Sequence, residues 1–450
     1  MTKTAFPPQV PAWPDQEGIL SLARQELPAY LMRQRWYPAK DAGAPSVALT
    51  ALIPLPMPEF SAAIAIWTAQ TPGRPALQLF LPLAVLREGE IEESDPAFIG
   101  RHDRVVVADA FGLDAFVRTF VRLMVGSDAV LSAELAAGRT AAAGALAPAE
   151  DWRVRRSSAE QSNTSIRIGD GTILKVIRKL LHGINPELEM GRFLTERTRF
   201  DAIPALLGWV DWTGSTLAVL QAFVPNEGDG WSWILDHLRS GSAERRAHSL
   251  RWIRRLGTRT AEMHAALAIR TGEAPFEPEI ATAADWQRWK ADIDAMAQRV
   301  REGLEVSDLD RPTREIAERF AQRCRGLSSL LDGLLPSSAV EKTRHHGDYH
   351  LGQVLVSGDD VTIVDFEGEP LRPLDERRAK HIPLRDVAGM LRSFGYAAAV
   401  AERELPSLPA AQRAAAAADL ERWMADASRA YLDSYLAEDA AKRRSPAHRG

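Results

Sequence analysis

His345-His346-Gly347-Asp348-Tyr349-His350-Leu351-Gly352-Gln353 is the densest polar cluster in the chain, and it runs straight into a short β-rich island. Val354–Val356 and Val361–Val364 read as two strands joined by Ser357-Gly358-Asp359-Asp360. The second strand exits through Asp365-Phe366-Glu367-Gly368-Glu369-Pro370. A turn this short pairs the strands antiparallel, which brings Gln353 and Asp365 to one end of the hairpin. Asp348, Gln353, Asp365 and Glu367 then converge there. A set of oxygen ligands without thiolate suits a hard divalent cation such as Mg²⁺. Asp348 lies on the loop rather than the strand, free to face a substrate hydroxyl. The three histidines make zinc a weaker reading, because their loop spacing lacks a further ligand cluster.

Upstream, Thr164–Ile168, the turn Gly169-Asp170-Gly171 and Thr172–Ile177 read as a hairpin. Lys175 falls inside its otherwise apolar second strand. A buried ammonium needs an anionic partner. Glu189, on a following helix over 185–198 that begins at Pro186, is one candidate, and a nucleotide phosphate is another. An edge-strand lysine facing solvent is the plainer alternative. The loop before this hairpin carries Gln161-Ser162-Asn163 in place of a glycine-rich run, and its small polar groups can still cover a phosphate. Leu207–Trp212 and Thr216–Val224 form another predicted hairpin. Strand 152–157 completes a five-strand sheet, and Ser127–Ala145 is expected to be helical.

Residues 1–100 are rich in proline and short apolar runs, which reads as a few strands and loops after a helical start over 19–34. Beyond 224 the spacing of Leu250, Ile253, Leu256, Met263 and Leu267 is helical. Further helices follow over 285–303 and 314–331 and from Pro383 onward. The expected order is therefore a cap, a five-strand sheet with one helix, a hinge and a helical lobe that carries one β hairpin.

The global numbers narrow the function. The 450 residues are 46% hydrophobic and 26% charged, with a net charge of −5. That is a globular composition, and it gives no electrostatic footprint for nucleic acid. The single cysteine, Cys324, excludes a disulfide framework. The apolar runs are far shorter than the roughly 20 residues a membrane span needs. The first ten residues lack a signal-like apolar stretch. A cytoplasmic protein without membrane or nucleic-acid partners is expected.

The order strand, loop, strand with lysine, helix with glutamate, hinge, loop aspartate and metal-binding aspartate is that of a protein-kinase-like fold. The HGDYHLGQ form resembles small-molecule kinases related to aminoglycoside phosphotransferases, and among these the maltokinase family. That family includes the maltokinase-like domain fused to some trehalose synthases. The matching stretches are Arg35–Lys40 (RWYPAK), Glu160–Ser165 (EQSNTS), Gly183–Glu189 (GINPELE), His346–Gln353, Asp365–Pro370 and Pro383–Ser393 (PLRDVAGMLRS). They cover most of the chain.

The resemblance implies an α+β bilobal protein-kinase-like fold, with an N-terminal cap subdomain over 1–95, a small β-rich lobe over 96–224 and a larger helical lobe over 225–450. It implies Asp348 as catalytic base, Gln353 and Asp365 as metal ligands, Lys175 on the α- and β-phosphates and Glu189 orienting that lysine. Gln161, Ser162 and Asn163 would cover the phosphates. Gln221, Phe223 and Val224 would form the hinge that holds adenine. His350, Glu367, Arg385, Trp423 and Tyr435 are candidates for the sugar site. The expected function is ATP- and Mg²⁺-dependent phosphorylation of maltose to maltose 1-phosphate. Glucosamine or an aminoglycoside is the alternative acceptor, and an inactive partner of trehalose synthase is the non-enzymatic alternative. The chain departs from the family at His345, where an apolar residue is usual.

Overall fold

The structure is a computed structural model; it describes residues 18, 21, 22 and 25–444, leaving out 103, 127–133, 146–151, 157–162, 307, 325, 332–338 and 404–408. Helix α1 (Leu27–Arg33) precedes strands β1 (Ser46–Leu55), β2 (Ser61–Gln70), β3 (Leu77–Phe80), β4 (Leu83–Arg87), β5 (Phe98–His102) and β6 (Val105–Asp109). Helix α2 (Asp114–Val125) leads to β7 (Leu135–Arg139), β8 (Val154–Arg156), β9 (Thr164–Ile168), β10 (Thr172–Val176) and β11 (Lys179–Leu180). After helix α3 (Pro186–Arg197) come β12 (Leu206–Trp212) and β13 (Ser215–Ala222).

Two antiparallel sheets result. The first has seven strands and holds β1 to β6 together with β11. The second runs β7-β12-β13-β10-β9-β8. The cap sheet therefore continues to Asp109, past the boundary expected at 95. After β10 of the second sheet the chain crosses over, and β11 pairs with β3 of the cap, Lys179 opposite Leu79. Beside it, buried Arg178 donates to Asp109 at 2.7 Å, and Tyr30 donates its hydroxyl to the same carboxylate at 3.2 Å. A buried charge is tolerated only when paired in this way. The cap is thus joined to the lobe by a strand and an ion pair directly after the lysine strand.

The second sheet has six strands, not five. The segment expected to be helical over 127–145 contains β7 and a 3₁₀ turn over Ala141–Ala145. Residues 127–133 of that segment lie outside the described residues. Gly138 pairs with Trp209, whose ring lies where a Cβ would sit, 2.3 Å from that position. The strand exists because its neighbour fills the space a side chain would need.

The helical lobe is built from α4 (Gly230–Arg239), α5 (Ala243–Leu267), α6 (Ala283–Val306), α7 (Arg311–Arg323), α8 (Leu374–Arg378), α9 (Leu384–Arg403) and α10 (Ala410–Arg444). Two small β pairs interrupt it, β14 (Glu279–Ile280) with β15 (Glu341–Lys342), and β16 (Val354–Ser357) with β17 (Asp360–Ile363). The hairpin is fixed at both ends. Glu227 N–H donates to the Val356 carbonyl at 2.9 Å and Ile363 N–H to the Ala202 carbonyl at 2.8 Å. Leu351, Val354, Val356 and Ile363 pack into the core with Ile253, Met390 and Phe394. The hairpin is therefore held against the segment that joins the lobes at Val356, and against Ala202 at Ile363, two residues before Asp365.

Candidate active site

Strand alternation places Ile173 and Lys175 on one face of β10. Both line a cleft of about 420 Å³ between the lobes, together with Asn163, Ser165, Glu187, Gln221, Phe223, Val224, Gln353 and Asp365. Lys175 is buried, with Nζ bonded to Asp365 Oδ1, 3.0 Å from Glu367 Oε1 and 3.9 Å from Glu187 Oε1. Burial lowers the Lys175 pKa, but the charges of Asp365, Glu187 and Glu367 outweigh it and hold the pKa well above the ordinary lysine value. Burial raises the Asp365 carboxyl, but the Lys175 charge and hydrogen bonds from Lys175 and Gln353 bring it below its usual range. The solvent-facing alternative for Lys175 is excluded by this burial.

Glu189 does not face Lys175. The nearest glutamate of α3 is Glu187, and Glu189 is bound to Arg344 and Arg378 of the helical lobe. Residues two apart on a helix differ by about 200° around its axis, so only one of the pair can look into the cleft. Glu187 Oε1 accepts from Gln221 Nε2 at 2.9 Å, while its Oε2 is buried without a partner. Burial pushes the Glu187 carboxyl up to about 7.

Asp348 projects from the loop held by Asp386. The buried Asp386 carboxylate accepts from the backbone N–H groups of His346 at 2.8 Å and Gly347 at 2.9 Å. It also lies 3.1 Å from His264 Nε2, and His264 Nδ1 is 3.0 Å from the Tyr435 hydroxyl. Burial alone would raise the Asp386 carboxyl, yet the His264 hydrogen bond and the neighbouring histidines lower it. Gly347 has φ 87°, a left-handed conformation that costs a residue with a Cβ. Gly389 of α9 brings its helix onto the Tyr349 carbonyl, where a Cβ would stand 2.6 Å away. These contacts fix where Asp348 can point. Asp386 was legible only as part of the PLRDVAGMLRS stretch; a lone acid among Val387, Met390 and Phe394 is the signal that marks it.

Asp365 has φ 66°, rare for a side chain with a Cβ and a form of strain that clusters at functional sites. Glu367 Oε1 accepts from Asn163 Nδ2 at 2.8 Å, and Arg377 donates to the Glu367 carbonyl. Glu367 therefore joins the side of the cleft that holds Lys175 and Asn163. His350 is half-exposed, with Nε2 4.0 Å from Asp348 Oδ2, and its Nδ1 accepts from Gly352 N–H at 3.0 Å. Arg385 pairs with Glu369 at 3.1 Å. Gln161 and Ser162 lie outside the described residues.

Trp423 and Tyr435 are not brought to the site. They are 3% and 5% exposed, inside the helical core. Trp423 Nε1 donates to Ser249 Oγ at 2.9 Å, and Tyr435 bonds His264. Both rings belong to the core cluster of the helical lobe, with Phe394, Ala427 and Tyr431.

Fold and cleft together define a kinase-like phosphotransferase. The chain belongs to the phosphotransferase enzyme family (APH), whose profile matches residues 153–425, and residues 30–117 match the maltokinase N-terminal cap domain. It is 30% identical over 287 residues to a glucosamine kinase of Streptacidiphilus jiangxiensis, covering 61% of this chain and 60% of that one. It is 30% identical over 266 residues to a glucosamine kinase of Mycolicibacterium smegmatis, covering 57% of this chain and 62% of that one. The chain thus spans about 60% of the length of these curated relatives. A solved glucosamine kinase in complex with glucosamine, ADP and inorganic phosphate shares the fold over 97% of this chain and 89% of its own, with TM-score 0.66 and 22% identity. No described helix is long and apolar enough to cross a membrane.

Proposed function

We propose that this protein is an ATP-dependent sugar kinase whose acceptor is glucosamine. The observation that carries the kinase reading is the convergence of Lys175, Gln353 and Asp365 on one cleft, beside the loop that bears Asp348. ATP would lie with its base against Gln221–Val224 and its phosphates toward Lys175. An all-oxygen donor set from Gln353 and Asp365 fits Mg²⁺. Bound there, the ion supplies neutralisation of charge on the phosphates. Asp348 accepts or orients the proton of the attacking hydroxyl. Lys175 holds the phosphates, and in their absence it is held by the carboxylates around it. Glu187, rather than Glu189, stands behind Lys175.

The acceptor follows from two supports. Two relatives that match in sequence are glucosamine kinases. Trp423 and Tyr435, the aromatic candidates for the sugar site, are buried, and a site of aromatic and neutral polar groups is what would favour maltose. Maltose remains the second reading, favoured by the match to the maltokinase cap. The cap does not decide between the two, because a glucosamine kinase matches this fold across 97% of the chain. A scaffold has no physical need for Lys175, Asp348 and Asp365 together, which argues against an inactive partner of trehalose synthase. The use of ATP fits a cytoplasmic location.

The test is ADP release with glucosamine, maltose, glucose and an aminoglycoside. Turnover with glucosamine and a higher KM for maltose is expected. Preference for maltose would replace the acceptor while leaving the kinase. No ADP release with any acceptor, together with no binding of MgATP, would overturn the kinase reading.

A further inference from the structure

Helix α3 presents two glutamates to opposite sides, and only Glu187 is used by the cleft. Glu189 reaches into the helical lobe. Its Oε2 accepts from Arg344 Nη1 at 2.6 Å and from Arg378 Nε at 3.0 Å, and its Oε1 accepts from Arg378 Nη2 at 2.6 Å. The grip of Arg378 is a bidentate fork, the strong and directional form of an arginine–carboxylate pair. Burial raises the Glu189 carboxyl, but the Arg378 bonds and the Arg344 charge bring it below the usual range.

The positions of the two arginines give the pair its meaning. Arg344 is 2% exposed and leads directly into the loop that ends at Asp348. Its guanidinium lies 5.1 Å from the centre of the Phe276 ring, which stacks on Phe193 of α3 at 3.8 Å. Arg378 closes α8, in the segment after Asp365 and Glu367, and its neighbour Arg377 holds the Glu367 backbone carbonyl. One carboxylate of the nucleotide lobe therefore grips the two helical-lobe segments on either side of the catalytic loop and the metal-site loop.

We propose that Glu189 is an inter-lobe positioning residue: through Arg344 and Arg378 it makes α3 move with the catalytic loop, so that Glu187 and Lys175 are aligned when the lobes engage. The proposal rests on the kinase reading above. Glu189 touches neither nucleotide nor acceptor; it acts through α3. A packed helix transmits such a constraint because its two faces are rigidly related. A purely structural ion pair would hold the fold together without linking the two segments' response to nucleotide.

Two variants test it in the full chain. Arg378→Met removes the fork from a half-exposed arginine, and Glu189→Gln removes the charge. Each is expected to lower kcat at least tenfold while changing the KM for MgATP less than threefold. Hydrogen exchange gives the second readout. In the wild type, MgATP is expected to slow exchange in 186–197 and 344–348 together. In Arg378→Met it should slow the first segment alone. Arg378→Lys should restore little of the lost kcat, because an ammonium cannot form the fork. An unchanged kcat in folded Arg378→Met, or joint protection retained in that variant, overturns the proposal. Should Glu189→Gln fail to fold, Arg378→Met decides the question. Should the wild type bind MgATP but turn over none of the acceptors, the acceptor reading fails on its own, and the exchange pattern with MgATP still decides this one.

Discussion

His346 Nε2 lies 2.9 Å from the carbonyl oxygen of Val364, so the loop that carries Asp348 is bonded to the strand end that carries Asp365. A carbonyl only accepts, so Nε2 bears the proton, and Nδ1 is left to accept from the Asp348 N–H at 3.4 Å. One ring thereby sets the separation of the proposed base from the proposed metal ligand. His346→Phe keeps the packing against Tyr349 and Phe366 and loses both bonds. Displacing a reacting group by about 1 Å can cost roughly 10²-fold. We expect kcat to fall by about 10–100-fold with the acceptor KM little changed. Steady-state kinetics check this; wild-type kcat would show that the loops hold their spacing without the ring.

Asp348→Asn preserves shape and removes the proton acceptor. Loss of a general base typically costs about 10²–10⁴-fold. Phosphoryl transfer should fall by that factor, with MgATP affinity by calorimetry essentially unaltered, because Asp348 does not line the part of the cleft holding Lys175. Turnover near wild type would remove Asp348 from the mechanism.

The charge cluster predicts an interaction between substitutions. Lys175 is the cation among Asp365, Glu367 and buried Glu187. Removing one partner of a buried pair costs about 3–5 kcal/mol, because the remaining charges are left uncompensated. Lys175→Met should destabilise the nucleotide-free protein by about that much and weaken MgATP binding. Adding Glu187→Gln should recover part of the stability and none of the binding. Denaturant titration of the four proteins measures the coupling, and strict additivity would show that Glu187 and Lys175 do not sense each other.

His345 gives a pH prediction. Both ring nitrogens are buried without hydrogen-bond partners, and burial drives its pKa down to about 3. An unfolded histidine titrates near 6.5. Between those values the unfolded chain binds a proton that the folded one refuses, so stability falls as pH drops from about 6.5 toward 3. His345→Phe should lessen that loss and leave stability above pH 7 equal or higher. Thermal melts of both proteins across pH 4–8 are the measurement; parallel curves would mean that His345 is solvated or bonded in the folded state.

What could be read from the residues follows from the range of the interactions involved. The Val354–Ile363 hairpin and its flanking polar residues were legible because a short turn and two apolar strands are local facts. Strand β7 was not. An alanine-rich run has no period of its own, and Leu135–Arg139 becomes a strand only by lying along β12 with Trp209 over Gly138. Glu187 and Glu189 of α3 both stand in the GINPELE stretch, but which of them meets Lys175 depends on how the helix is rotated on the sheet. That rotation is set by Leu188, Met190, Phe193 and Leu194, all buried. Trp423 and Tyr435 were visible as aromatics near the end of the helical lobe, yet residue type alone does not say whether a ring meets a ligand or the core.

That last distinction can be measured. Trp423 packs edge-on to Phe394, with ring centres 6.4 Å apart, and bonds Ser249. Tyr435 hands its hydroxyl to His264, which in turn supports Asp386. A large aromatic deleted from a core costs about 3–5 kcal/mol. Trp423→Ala should therefore lower stability by that amount and leave the acceptor KM of the folded protein unchanged. Tyr435→Phe removes one hydroxyl and leaves His264 Nδ1 without its donor, at a cost of about 1–3 kcal/mol for an unsatisfied buried group. Its effect should appear in stability and in kcat, through Asp386 and the backbone of His346 and Gly347, and not in acceptor affinity. A tenfold rise in acceptor KM in either variant, at unchanged melting temperature, would return these aromatics to the sugar site and overturn their assignment to the core.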